Sequence, residues 1–550
     1  MVKSHSFINP DTQTMLRHYF IPLISSALLL ITGSYLSAQT HDNALRFSTE
    51  TLDGTARYQA MGGAFGAVGA DYGSLRQNPA GLGLFRSNEI QGTVSFGQNL
   101  DQATWYNEQY KKGRTAFGGN MSVVLATPLR GSGLSINFAL GFYQRQSFAR
   151  SFDVSNHHIT DFSLADYTAL ITPTNVSSED LLSKNAYGNV RAPWLTILGH
   201  GAGWTVPHPN GFYESAFKYS DKGGILGPSN SQLRVNECGG IQDFDFTCGL
   251  NYNDRLYFGL GVKLSALDYR MNSYYGEDFI DKDYLELANE LRTSGSGASI
   301  SFGLIARVSD HLRLGAAIQT PTWYTLQDNY VAGAESRYSR ALDKEGKPLP
   351  EKEWTVKDET PSDAACRYQL QTPTKIVLSG AFVGRLGMLS LDYELANYSG
   401  TQFKDNIFDY DNQLMKDYFM PMQSTLRLGG ELRVSPQFSL RAGGYWRQAP
   451  MKASFDSDPK QSAKIHVNEA GTVPHYEIVG MGYGITGGLG WRFSPSSYID
   501  LAVVYQGQKS HMYPFPTGYN EKTKFHVETP QAIQLQKQRI YGVATFGFKF

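Results

Sequence analysis

The chain has 550 residues, with 49 Lys and Arg against 50 Asp and Glu, so no basic excess marks it as a partner of nucleic acid. Its mean hydropathy is slightly negative, which excludes a bundle of apolar membrane helices. A membrane barrel is not excluded, because its strands turn only half of their residues to lipid. With 33 Tyr, 31 Phe and 56 Gly, the composition favours strands joined by tight turns.

Residues 20–36, FIPLISSALLLITGSYL, form an apolar run after Arg17 and His18 and before Ser37-Ala38. This pattern reads as a secretory signal over residues 1–38, cleaved after Ala38, with Met15 as an alternative start. The run is short and broken by Pro22 and several Ser and Thr, which speaks against a transmembrane anchor.

Residues 39–88 read as a hatch. Their centre, residues 61–84, is MGGAFGAVGADYGSLRQNPAGLGL, in which Asp71 and Arg76 are the charged side chains. So many glycines weaken a helix or strand but let a backbone pack closely and turn sharply. The segment lacks the Lys-Ser/Thr of a phosphate loop.

From residue 89 onward apolar and polar residues alternate. Strands are expected at 89–99, 115–127, 133–147, 241–252, 256–270, 294–308 and 312–327. Further strands are expected at 367–383, 388–398, 424–434, 438–448, 483–493, 498–509 and 538–550. That makes about fourteen, an even number suited to an outer-membrane barrel. Leu389, Leu391 and Tyr393 alternate with Ser390, Asp392 and Glu394, which places apolar and polar residues on opposite faces. A soluble sandwich would show the same alternation, and connection lengths separate the two. Short turns such as Asn253-Asp254-Arg255, Ser309-Asp310-His311 and Ser435-Pro436-Gln437 alternate with long connections at 100–114, 148–240, 271–293, 328–366, 399–423, 449–482 and 510–537. Short periplasmic turns and long extracellular loops are the habit of bacterial barrels. The fold expected is therefore an all-β transmembrane antiparallel barrel over residues 89–550, with the N-terminal hatch in its lumen. Within the extracellular loop 148–240, helix-like runs at 161–171 and 177–184 either cover the barrel mouth or capture ligand.

Cys238, Cys248 and Cys366 form no CxxC or Cys/His cluster, and no metal or other cofactor is expected. A bridge between Cys238 and Cys248 would leave Cys366 free, and three free thiols are the alternative. His157-His158 reads as a solvated loop pair rather than a metal site. No nucleophile with a general base stands in a motif, so no enzyme is expected. Asp392, Glu394, Arg427, Glu431, Arg433, Arg441 and Arg447 read as lumen ion pairs, with a ligand site as the alternative.

The order of these features resembles the outer-membrane long-chain fatty-acid and aromatic-hydrocarbon transport family (FadL/TodX type). It runs from a signal peptide through Gly62-Gly63-Ala64-Phe65-Gly66 and Asn78-Pro79-Ala80-Gly81-Leu82 to about fourteen strands ending in Phe550. Leu312-Arg313-Leu314-Gly315 leading to Thr320-Pro321, and Thr372-Pro373 leading to Leu391-Asp392-Tyr393, are similar in style. The resemblance implies a hatch motif at Asn78-Pro79-Ala80, with Gly62, Gly63, Phe65, Gly81 and Leu82 beside it. It makes Phe550 the signal read by the barrel-assembly machinery. It further implies a monomer surrounded by outer-membrane lipid. A hydrophobic small molecule such as a fatty acid would pass by diffusion to a pocket above the hatch, then leave through the hatch or sideways where a strand kinks. A carrier working with a protein secretion system and a haem-related receptor are the alternative readings.

Overall fold

The structure is a computed structural model that describes residues 41–129, 133–158, 160–217, 219–221, 224–339, 350–404, 409–452, 471–520 and 524–550. The expected signal segment, its start and its cleavage site lie outside the described residues.

Fourteen antiparallel strands close a ring. They are β1 (Glu89–Trp105), β2 (Glu108–Leu129), β3 (Leu134–Ser147), β4 (Asn230–Tyr252), β5 (Leu256–Asp278) and β6 (Tyr284–Arg307). Next come β7 in two parts (Leu312–Gln319 and Trp323–Arg337), β8 in two parts (Ala365–Gln371 and Lys375–Val383), and β9 (Gly387–Ala396). The ring ends with β10 (Gln423–Arg433), β11 (Phe438–Arg447), β12 (Tyr476–Arg492), β13 (Ser497–Tyr513) and β14 (Ile533–Lys549). Closure runs from Glu89 opposite Lys549 to Thr104 opposite Gln534, which joins the first strand of the ring to the last.

Every expected strand is present, but several are longer than the alternation suggested. The expected loops at 100–114 and 271–293 are mostly hairpin. β1 and β2 pair up to Trp105–Glu108, and β5 and β6 up to Asp278–Tyr284. The cause is visible on β5. In its lower half Leu256, Phe258, Leu260, Val262 and Leu264 face outward and are exposed, while Gly259, Gly261 and Ser265 face the lumen. Above residue 266 the polarity inverts: Leu267, Tyr269, Met271 and Tyr275 are buried inside, and Asn272 is exposed outside. The pleat keeps its phase while the solvent outside changes from lipid to water. The outward-apolar stretch of β5 matches the ~9–11 residues a tilted strand needs to cross a bilayer.

A closed barrel with an exposed aliphatic belt, tight turns at one end and long loops at the other is the build of outer-membrane proteins. The short-turn end is then periplasmic. The turn between β4 and β5 has positive φ at Asn253 (52°) and Asp254 (57°), a left-handed conformation that Asn and Asp tolerate better than other side chains. Phe438 stacks on Trp491 with ring centroids 6.0 Å apart, and Phe546, Phe548 and Phe550 are also exposed near this end, where an aromatic girdle suits the membrane interface. Leu391, on the outward face midway along β9, is 49% exposed. Leu391→Arg is expected to destabilise the inserted barrel by ~2–4 kcal/mol, read as a lowered urea midpoint in lipid vesicles.

Two neighbouring strands are interrupted side by side. Thr320-Pro321-Thr322 splits β7 and Thr372-Pro373-Thr374 splits β8, because proline brings no N–H to a ladder. Threonines repair the seam: Thr322 N donates to Thr372 Oγ1 (2.8 Å), and Ile300 N donates to Thr320 Oγ1 (2.9 Å).

The cysteine bridge left open by the sequence does not form. Cys238 and Cys248 lie ten residues apart on β4; one strand holds such residues roughly 30 Å apart, beyond the reach of a disulfide.

The extracellular mouth is filled. The helix α1 (His41–Ser48) enters it from the N-terminal segment, and α2 (Ala56–Ala60) follows deeper in the lumen. The loop after β3 adds a strand, Arg150–Asn156, along β4, and the helices α3 (Leu164–Ile171), α4 (Ser178–Leu181), α5 (Ala186–Asn189) and α6 (Trp194–Gly201). Both runs expected as helical begin with a capping box, Ser163 with Asp166 and Ser177 with Asp180, which satisfies first-turn N–H groups. Leu45, Phe47, Leu164, Leu195, Leu198 and Trp204 pack with Leu267, Tyr269 and Leu287 in one apolar cluster. The loop therefore packs with α1 and the upper barrel wall in one apolar cluster.

Candidate functional site

Residues 41–88 run down the lumen. α1 sits high, residues 49–55 are extended, and near the periplasmic end come α2 and then the Gly-rich stretch with two short 3-10 turns, Tyr72–Arg76 and Pro79–Leu84. Asn78 shapes the second turn. Its side chain accepts from Ala80 N (3.1 Å) and donates to Gly66 O (2.7 Å) and to Leu304 O of β6 (3.2 Å). Pro79 suits the first position of the turn, where its missing N–H is not needed. Gly62 (φ 64°) and Gly63 (φ 77°) occupy backbone conformations that favour glycine. Gly62, Gly63, Phe65, Asn78, Pro79, Ala80, Gly81 and Leu82 are all buried. The structure gathers them in one hatch, while Phe550 stands apart, exposed at the end of the chain.

The hatch rests on glycines of the barrel wall. A Cβ at Gly259 would lie 2.1 Å from the Pro79 carbonyl carbon, and one at Gly303 would lie 2.0 Å from Asn78 Oδ1. At Gly315 it would lie 2.5 Å from Gly66 O, and at Gly443 2.2 Å from the Met61 carbonyl carbon. Reading the sequence for strands alone missed this seat. Its signal was glycine at lumen-facing positions of strands, which marks close approach of another backbone. Asn137 of β3 was missed too; its amide donates to Leu82 O (2.8 Å) and Phe85 O (3.1 Å).

Charges expected as lumen ion pairs tie the hatch to the wall. Arg57 of α2 reaches Glu431 (2.9 Å), which also accepts from Arg441 (2.8 Å); Arg441 continues to Asp500 (2.5 Å). Arg427 pairs with Glu394 (2.9 Å), Asp392 accepts from Gly66 N (2.9 Å), and Arg447 donates to Glu50 O (2.7 Å). Arg433 is exposed at the periplasmic end and outside this network. Higher up, burial pushes the Glu50 carboxyl upward, but Lys375 at 2.8 Å, with Lys263, Arg145 and Arg76 beyond it, outweighs burial and holds it well below the usual range.

Asp71 behaves in the opposite way. Burial pushes its carboxyl up to about 6, Asp500 and Glu89 add to the rise, and Arg57 and the Thr55 hydroxyl (2.6 Å) oppose it. A raised pKa favours the protonated form in the packed hatch. The stability this brings is full in acid and is lost as pH rises through about 6, by at most about 3 kcal/mol. Ion conductance in planar bilayers is therefore expected to grow from pH 4 to pH 7 in the wild type and to stay flat in Asp71→Asn. A wild type insensitive to pH would overturn this.

Two cavities flank the extended segment 49–53. The upper one, about 110 Å³, is lined by the apolar Leu45, Phe148, Phe152, Val479 and Leu535 and by polar and charged residues, among them Arg46, Arg150, Glu237 and Glu477. Arg150 joins Glu237 (2.6 Å) to Glu477 (2.5 Å), so these charges neutralise one another. The lower one, about 60 Å³, lies on the hatch and is polar.

The wall beside the upper cavity is incomplete. β2 and β3 pair from Leu129–Leu134 only to Asn120–Tyr143, whereas β2 stays paired with β1 up to Glu108. β3 bulges between Gln144 and Gln146, and its continuation pairs with β4 alone. Residues 108–119 of β2 thus present an unpaired edge among the described residues, beside Gln146, Ser147 and Phe148 of the cavity. The exposed Phe117 lies on this edge and faces Phe96 of β1 across their ladder, placing the edge's lower part in the outer half of the apolar belt.

Among the described residues no group of three His, Cys, Asp or Glu gathers to hold a metal. His158 packs its ring against Tyr106 at 4.7 Å. In the loop, His200 contacts Ser178 (2.6 Å) and Thr205 (2.9 Å). Thr205 stands where a hydrolase triad places its carboxylate.

No protein-family model matches the chain, and no curated protein matches its sequence. Among solved structures it is similar to the Pseudomonas putida toluene transporter TodX, with 12% identity over 92% of this chain and 100% of that one, and a TM-score of 0.47. It is similar to a Pseudomonas aeruginosa FadL homologue, with 11% identity, coverage of 91% and 99%, and a TM-score of 0.47. It is also similar to the Ralstonia pickettii toluene transporter TbuX, with 12% identity, coverage of 92% and 100%, and a TM-score of 0.44.

Proposed function

We propose that this chain is an outer-membrane channel of the FadL/TodX kind, which takes up hydrophobic small molecules without catalysis and releases them sideways into the membrane while the hatch closes the periplasmic end. The observation that carries this reading is the nearness of the upper cavity, whose lining includes Gln146, Ser147 and Phe148 beyond the bulge of β3, to the unpaired edge of β2. An apolar molecule held there has two ways onward. Downward it meets the ion pairs of Glu50, Glu394 and Glu431 and then a hatch seated at backbone contact distance. Sideways it meets the aliphatic belt of the membrane. Apolar groups are stabilised by leaving water and polar surroundings, so the second way is downhill. α1 lines the upper cavity through Asp42, Leu45 and Arg46, and its movement would admit the molecule.

A cross-link across the gap tests the exit. Gly118 and Gln144 flank it, a Cβ on Gly118 lying 3.5 Å from Oε1 at the tip of the Gln144 side chain and 2.8 Å from Ser95 Oγ. In a background with the three native cysteines replaced by Ser and Ser95 by Ala, Gly118→Cys with Gln144→Cys, joined by a short bifunctional methanethiosulfonate, is expected to stop uptake of toluene or a fluorescent fatty acid into proteoliposomes. Reduction with dithiothreitol, which releases the cross-link, is expected to restore it. Uptake unaffected by the cross-link would move the exit to the hatch, and no uptake in either state would sink the channel reading.

A further inference from the structure

The outer face of the wall changes character where the apolar belt ends. On β5 the outward residues run from Leu256 through Leu264 to Ala266, and the next two are Asp268 and Arg270. Trp323 of β7 is joined to Leu264 through Ala298 in the ladders and is exposed outward, as suits an aromatic residue at the edge of the hydrocarbon. Just above this edge the register gathers arginines. Arg270 lies directly opposite Arg292 of β6, and the row of Asp268 continues through Ser294 and Gln327 to Arg367 of β8. Among residues 266–270 and their ladder partners on the outward faces of β5 to β8, three arginines stand against one carboxylate, an excess of two positive charges. Glu290, the next outward residue of β6, is one step farther from the belt.

Like charges directly opposite on neighbouring strands repel. Asp268 relieves this only loosely: its carboxylate is 3.9 Å from Arg270 Nε and 3.6 Å from Arg292 Nε, both longer than a hydrogen bond. Arg270 Nε has no hydrogen-bond partner among the described residues. Arg367 donates through Nε to Gln327 Oε1 (2.9 Å), and its side chain is exposed. An anion over Arg270 and Arg292 turns their repulsion into a shared attraction. Phosphate suits them, because its oxygens accept the paired N–H groups of a guanidinium. The arginines stand on an open surface rather than in a pocket, so position has to come from elsewhere. Acyl chains lying against Leu264 and Trp323 supply it by holding a headgroup at this height.

We infer that Arg270, Arg292 and Arg367 form an outward-facing site for the phosphate of a phosphorylated glycolipid of the outer leaflet, whose acyl chains lie along the apolar belt beneath. The site is on the outside of the wall and shares no residue with the hatch or with either cavity of the lumen. It therefore goes beyond the channel reading and stands independently of it. A bound lipid would fix β5 to β8 against the membrane, on the side of the barrel that carries the two proline seams.

The test titrates the full chain, in micelles of a non-ionic detergent, with lipid A, with lipid A stripped of its phosphates and with inorganic phosphate, and counts the complexes by native mass spectrometry. Lipid A is expected to bind, and its affinity is expected to fall about tenfold or more in Arg270→Gln with Arg292→Gln, which removes charge-assisted hydrogen bonds. The stripped lipid is expected to bind no better to the wild type than to this variant. Arg367→Gln alone is expected to weaken lipid A as well, and all of these substitutions, being on an exposed face, should keep the heat-modifiable migration of the folded barrel. Lipid A bound equally by the wild type and both variants, or equally with and without its phosphates, would overturn the site. Inorganic phosphate bound as tightly as lipid A would overturn the lipid as its occupant. Toluene uptake into proteoliposomes is expected to be the same in the variants and the wild type. Its absence in the wild type would count against the hydrophobic channel and leave the lipid site standing.

Discussion

Gly259→Val, combined with Gly303→Val, is expected to expel the hatch from a barrel that still forms. The two glycines face the lumen on adjacent strands, β5 and β6, and are opposite each other in their ladder. A Cβ on the first would sit 2.1 Å from the Pro79 carbonyl carbon and 2.2 Å from Ala80 N; on the second, 2.0 Å from Asn78 Oδ1. The obstacle at Gly259 is backbone, which cannot swing aside as a long side chain can. Overpacking of this kind typically costs ~1–3 kcal/mol at one site, and two sites against one turn exceed what the Asn78 hydrogen bonds return. The strands themselves gain from valine, which suits a pleated wall. The double variant should keep the heat-modifiable migration of a folded barrel and show steady ion conductance in planar bilayers. A barrel as closed as the wild type would mean that the hatch is not seated on these glycines.

Glu431→Ala is expected to release the hatch by a different route. Glu431 holds two guanidinium groups, Arg57 of α2 and Arg441 of β11, at 2.9 and 2.8 Å, and is itself only 4% exposed at the side chain. Removing it leaves Arg57 without its closest carboxylate and Arg441 with Asp500 alone. Breaking a buried pair by removing one partner typically destabilises by ~3–5 kcal/mol, because a buried charge is left uncompensated. The loss should appear as tryptic cleavage after Arg57 under native conditions and as faster hydrogen exchange over α2. The double variant Arg57→Leu with Glu431→Leu should recover most of the protection, since it removes both charges. If the double variant is as exposed to trypsin as Glu431→Ala, packing rather than charge holds α2 in place.

Both experiments concern contacts of different visibility in the sequence. Glu431 and Arg441 were legible as lumen charges, because strand alternation sets Glu431 opposite Leu428 and Leu432 on β10 and Arg441 opposite Leu440 on β11. Their partner Arg57 was not, since a residue of the hatch carries no period that relates it to a strand. Asn78-Pro79-Ala80 could be read as a turn, but its bond to Leu304, 226 residues away, could not.

By itself the sequence determined the strand number, the inward and outward faces and the alternation of short turns with long connections. Each follows from local rules: a pleat of period two, and turns that need Gly, Pro, Asn or Asp. The sequence also announced a compact, glycine-rich segment ahead of the barrel. Only the tertiary structure decided where the membrane ends on each strand. The alternation continues unbroken from Leu256 to Tyr275, and what changes is which side of it meets lipid or water. Only the tertiary structure decided that β2 parts from β3 above Asn120, because that edge depends on a bulge in one strand and the register of two others. The seat of the hatch was likewise settled in three dimensions: it is made by the absence of side chains at Gly259, Gly303, Gly315 and Gly443, and an absence becomes a binding surface only when another backbone arrives to fill it.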